Sequence, residues 1–83
     1  MTLSLLYFAR LREAFGQSGE KLDTEAATVE ELLVELRLRG GAWAEELAAG
    51  KVFRVAVNQD IAVPATTLSN GDEVAIFPPV TGG

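Results

Sequence analysis

The sequence predicts an α+β domain, a small mixed sheet with one principal helix packed across one face. Three observations carry this. Apolar alternating segments stand near both ends of the chain, at Thr2 to Phe8 and Glu73 to Phe77, and an amphipathic helix starts from a capping motif at Thr28. The elements run strand, short helix, strand, long helix, short helix, strand, strand, strand, with no repeat and no low-complexity segment.

Thr2 to Phe8 puts Leu3, Leu5 and Tyr7 on one face and Ser4, Leu6 and Phe8 on the other. A strand apolar on both faces belongs in the middle of a sheet, or turns one face to a partner. Ala9 to Phe15 carries Leu11, Ala14 and Phe15 at helical spacing, and Gly16 is placed to close a short helix. Gln17 to Lys21 reads as a turn, and Lys21 to Ala26 alternates poorly, which predicts a marginal edge strand.

Thr28-Val29-Glu30-Glu31 is a capping box, with the Thr28 hydroxyl accepting from the Glu31 amide while the Glu31 side chain reaches back. Val29, Leu32, Leu33 and Leu36 follow as an apolar stripe that must pack on a sheet. Glu30 and Glu31 lie at the positive end of the helix dipole, Arg37 and Arg39 at the negative end, and Glu35 and Arg39 are spaced to pair. Gly40-Gly41 ends the helix. Ala42 to Ala49, closed by Gly50, predicts a short connecting helix in which Trp43 is a lid on the core more readily than a partner anchor.

Val52 to Val57 alternates again, with Phe53, Val55 and Val57 set against Arg54 and Ala56. Asn58-Gln59-Asp60 turns the chain into a short strand, Ile61 to Val63, that Pro64 cuts off. Asn70-Gly71 is a second turn and feeds the last strand, Glu73 to Phe77.

Eighty-three residues suffice for one core. The domain is expected to span residues 1–77, with residues 78–83 as a tail. There is no Cys, so packing rather than disulfides must stabilise it, as in a reducing compartment, and no apolar run approaches a membrane span. A cytoplasmic protein is expected. The formal charge of −5 has the wrong sign for phosphate-based nucleic-acid binding and favours a partner with a basic surface. Without His or Cys the chain offers no imidazole base, no thiol nucleophile and no soft metal site, so no metal is expected and catalysis by this chain alone is not. Glu30-Glu31 and Glu45-Glu46 read as solvated helix faces.

The tail reads as a probe that the rest of the chain presents. Pro78 and Pro79 can neither donate to a sheet nor continue a helix, so regular structure should stop at Phe77 and Pro78-Pro79-Val80-Thr81-Gly82-Gly83 leave the body extended. Six extended residues reach roughly 20 Å, far enough to enter another protein's active site. The prolines stiffen the root, and Gly82 and Gly83 can pass a narrow channel. No ionisable side chain follows Glu73, unlike an idle solvated terminus.

Parity then yields a surface. With Val74 and Ile76 facing the helix alongside Leu3, Leu5 and Tyr7, the side chains of Leu6, Phe8, Ala75 and Phe77 face away. Either the early loops cover Phe8 and Phe77, or these residues form a partner-binding patch at the base of the tail.

Leu68-Ser69-Asn70-Gly71-Asp72-Glu73-Val74-Ala75-Ile76-Phe77-Pro78-Pro79-Val80-Thr81-Gly82-Gly83, with Tyr7-Phe8-Ala9-Arg10-Leu11-Arg12-Glu13 and Ala56-Val57-Asn58-Gln59, closely resembles the small, sulfur-carrying subunits of molybdopterin synthase. The likeness covers essentially the whole chain, although Gln17 to Lys51 matches only in pattern. The resemblance implies the ubiquitin-like β-grasp fold, parallel pairing of the first and last strands, and an exposed Phe8 and Phe77 meeting a large subunit. It further implies that an ATP-dependent activating enzyme adenylates the Gly83 carboxylate and that a sulfur-donor protein supplies the sulfur of a thiocarboxylate. The tail would then insert into the large subunit, which holds the catalytic residues, and give that sulfur to cyclic pyranopterin monophosphate. The resemblance also implies that two carriers act per product, within a heterotetramer centred on a large-subunit dimer, and that ATP is consumed by the activating enzyme with no cofactor bound tightly to this chain. Rival readings are the sulfur carrier of thiamine synthesis, a modifier joined to lysines through Gly83, and a β-grasp interaction module with an inert tail.

Overall fold

The computed structural model describes residues 1–79. Its elements are β1 (Thr2–Tyr7), α1 (Ala9–Phe15), β2 (Gly19–Asp23), α2 (Val29–Arg37), α3 (Gly41–Glu46), β3 (Arg54–Val57), β4 (Asp60–Ile61) and β5 (Glu73–Phe77), in the predicted order. They build one five-stranded sheet ordered β2-β1-β5-β3-β4. β1 and β5 are parallel neighbours, as expected, and every other pair is antiparallel.

Strand periodicity explains the layering. Leu3, Leu5 and Tyr7 of β1, Val74 and Ile76 of β5, and Val55 and Val57 of β3 share one face, on which Val29, Leu32, Leu33 and Leu36 of α2 close a single core. Leu11 of α1 and Leu47, just past α3, belong to the same cluster, so the helices lie on one side of the sheet. Each fully enclosed Leu contributes about 1.5–3 kcal/mol.

The capping box forms, shifted by one residue in its return arm. Thr28 Oγ1 accepts from the Glu31 amide at 3.3 Å, and the Glu31 carboxylate accepts from Ala27 N–H and the Thr28 hydroxyl. The next helix donors reach farther, since Val29 N–H donates to the Thr66 carbonyl (3.0 Å) and Glu30 N–H to that of Pro64 (2.9 Å). Residues 64–67 thereby satisfy amides that no helix can bond internally.

Several boundaries differ from expectation. β2 starts at Gly19, which pairs with Leu6 and shortens the preceding turn, and ends at Asp23, the partner of Thr2 at the start of β1, short of Ala26. α3 stops at Glu46, well before Gly50, as Leu47 drops into the core. β3 starts at Arg54, since its partner Phe77 is followed by Pro78, which has no amide to donate. The strand after the turn is Asp60–Ile61 and does not reach Val63. The Glu35–Arg39 pair is replaced by tertiary partners: Arg39 binds Glu20 through both Nη atoms (2.7 and 2.9 Å), and Glu35 accepts from the Thr24 hydroxyl.

Candidate partner face and tail root

Because the helices occupy one side of the sheet, the opposite side is open, and strand register arranges it in rows. Leu6 lies between Gly19 and Ala75, Ala75 is paired with Ala56, and Ala56 with Ile61. One apolar row therefore crosses all five strands. Below it runs a polar row through Lys21, Ser4 and Glu73. Above it, Phe77 sits opposite Arg54, and Phe8 lies alongside, its amide donating to the Ile76 carbonyl at 3.3 Å. Phe8 is exposed (46%), and Leu6, Ala75 and Phe77 are half-buried. All four predicted partner-face residues thus share one surface, and the early loops leave Phe8 uncovered.

Strand β5 ends at Phe77, as predicted, and half-buried Pro78 and Pro79 follow at the margin of this face. Val80, Thr81, Gly82 and Gly83 lie outside the described residues, so of the expected tail-insertion positions only Pro78 and Pro79 are described, and the acyl-transfer position Gly83 is not.

A polar and aromatic brace stands behind Phe8, on the core side. The Tyr7 hydroxyl donates to the Glu20 carboxylate at 2.7 Å, which also receives both arms of Arg39. Trp43 stacks on Phe15 (centroids 3.8 Å apart, planes 5° from parallel), Tyr7 meets both edge-on, and the Arg39 guanidinium lies 4.4 Å from the Trp43 ring. Trp43 is therefore a core lid. Burial pushes the Tyr7 phenol strongly up, with its bond to Glu20 adding to the effect. The Arg39 hydrogen bonds hold the Glu20 carboxyl below the usual range, and the same bonds raise Arg39.

The corner leaving β1 is strained. Ala9 has φ 53°, a left-handed conformation uncommon outside glycine, and it turns the chain into α1 directly after Phe8. At the base of β5, Asn58 ties two strands together: its amide donates to Asp72, its side-chain oxygen accepts from Glu73 N–H, and Asp72 caps Ser69 N–H.

Arg54, Ala56 and Ile61 are among the residues of the face that the sequence reading did not join to it. Their signal was the two-residue turn Asn58-Gln59, which places residue 56 opposite 61 on the same face.

The family model described as the ThiS family matches residues 5–83. The molybdopterin synthase sulfur carrier subunit of Haemophilus influenzae is 42% identical over 81 residues, covering 98% of this chain and 99% of that one. The protein of the same name from Escherichia coli is 40% identical over the same shares. Among solved structures, SAMP1 from Haloferax volcanii superposes with a TM-score of 0.81 at 29% identity, covering all of both chains. The fold is thus the ubiquitin-like β-grasp.

Proposed function

The chain belongs to the ThiS family, and from that premise we propose that it is the sulfur carrier subunit of a molybdopterin synthase. The observation that carries this is likeness of about two residues in five, over almost the entire chain, to proteins of that name. The open face supports it, because Leu6, Phe8, Ala75 and Phe77 form an apolar surface next to the tail root, where a large subunit can grip the domain while the tail enters its active site.

The chemistry follows from a carboxylate being a poor electrophile. A Gly83 carboxylate oxygen attacks the α-phosphorus of ATP on the activating enzyme, pyrophosphate leaves, and an acyl-adenylate forms. Sulfide (HS⁻) delivered by a donor protein then attacks the carbonyl carbon, the C–O bond to AMP breaks, and loss of the thiol proton leaves a thiocarboxylate. The large subunit supplies the catalytic groups that pass this sulfur to cyclic pyranopterin monophosphate, and hydrolysis returns the carboxylate. A terminal glycine leaves the carbonyl carbon least hindered, and a chain with no Cys has no thiol of its own to intercept the adenylate.

The test is the intact mass of the chain after incubation with ATP, the activating enzyme and a sulfide source. A gain equal to exchanging one oxygen for sulfur, placed by fragmentation at Gly83, is expected. An unchanged mass, with the enzyme active on another carrier, overturns the reading. Deleting Gly83 is expected to abolish sulfur transfer and leave the melting temperature within about 2 °C, since a last residue without a side chain has little to bury. A larger fall would assign the tail to the fold.

A further inference from the structure

At the β3–β4 margin of the sheet, where the core side meets the edge of the open face, a groove of about 380 Å³ runs between α2 and the sheet. Its floor is apolar and buried, formed by Val29, Leu33, Leu47 and Val55. Exposed Ile61 (68%) and Val63 (60%) form one wall. Arg37, Lys51 and Arg54 stand around it and, among the described residues, no carboxylate does, so three of the seven basic residues of a chain with net charge −5 converge here. Arg37 is held by the Leu47 carbonyl (3.0 Å), whereas Lys51 and Arg54 form no ion pair among the described residues.

We propose that this groove binds an acidic peptide segment of a partner protein, with one aliphatic side chain on the apolar floor and flanking carboxylates on Lys51 and Arg54. The charge pattern selects this occupant. Exposed basic groups on an acidic protein keep their attraction for carboxylates at short range, and a positive island disfavours basic competitors. The volume lies at the small end of ligand sites, enough for an anchor side chain and its neighbours. The inference does not rest on the sulfur-carrier reading: the floor residues belong to the core side and Leu6 and Ala75 to the other, and only Ile61 and Arg54 lie at the edge that the two surfaces share. A segment seated here leaves Leu6 and Ala75 free.

The test is an amide-resolved NMR titration of the full chain with an acetylated pentapeptide of four aspartates around a central leucine. Shifts confined to residues near Leu33, Lys51 and Val63 are expected. Lys51→Glu and, separately, Val63→Asp should each weaken the titration at least fivefold with unchanged spectra elsewhere; both side chains are exposed, so the fold tolerates them. Replacing the aspartates by lysines should remove binding. Absence of shifts at millimolar peptide, shifts centred on Leu6 and Ala75, or equal binding of the lysine peptide would each overturn the proposal.

Discussion

At Gly19 a single Cβ would lie 2.5 Å from the Leu5 carbonyl oxygen and 3.2 Å from a Leu6 methyl. Backbone cannot yield there as a flexible side chain would, so Gly19→Ala is expected to cost about 1–3 kcal/mol, read as a lower denaturant midpoint, with the β2 amides losing exchange protection first. Gln59 is the opposite case. Asn58 and Gln59 both have positive φ (50° and 73°), the geometry of a two-residue type I′ hairpin, which asparagine tolerates and glutamine does not favour. Gln59→Gly should therefore stabilise by about 0.5–1 kcal/mol, and thermal unfolding would show it. On the open face, Phe77→Asp is expected to weaken large-subunit binding at least tenfold, measured by titration calorimetry, while the isolated domain stays folded. Its half-buried setting makes the second half of that prediction the sharper one, because a misfolded variant would mean that Phe77 serves the core.

Elements show where sequence reasoning reaches and where it stops. The Thr28 cap, the stripe on α2, the Gly16 close of α1 and the strand Glu73–Phe77 were all legible, since each depends on neighbours within a turn or on a period of two. The start of β2, the end of α3 and the partner of Arg39 were not, as all three are decided by residues distant in the chain. Glu20 lies 19 positions from Arg39, and no local spacing could have matched them. The open face was half legible: parity gave Leu6, Phe8, Ala75 and Phe77 one side, but which strands flank them depends on sheet order, which periodicity does not contain. The brace itself is testable by pH. Arg39 lowers the Glu20 pKa in the folded state, so this carboxylate adds stability above its unfolded pKa, and that stability is lost as pH falls through the lower folded value. Glu20→Gln should flatten this acid limb, with Trp43 fluorescence as the reporter, as that ring lies beneath Arg39.

The whole molecule separates its two sides by purpose. One carries the core and all three helices, and the other carries a row of small and apolar side chains beside the tail root. With a formal charge of −5, the domain should approach a basic partner surface faster than neutral diffusion allows. Raising ionic strength from about 0.05 to 0.5 M, where the screening length falls from roughly 14 to 4 Å, is expected to slow association with the large subunit more than dissociation. Stopped-flow mixing would separate the two rates.

The parallel pairing of β1 with β5 brings residues from opposite ends of the chain into the centre of the sheet, Ser4 beside Glu73 and Tyr7 beside Ile76. During synthesis the first strand emerges early and waits for its neighbour, since β2 alone gives it only an isolated two-stranded pair. The central ladder closes only when the last strand leaves the ribosome, a few residues ahead of the two glycines. Premature chain termination before Glu73 therefore yields no stable domain at all, and cellular proteolysis would remove such fragments before they could occupy a partner as unproductive decoys.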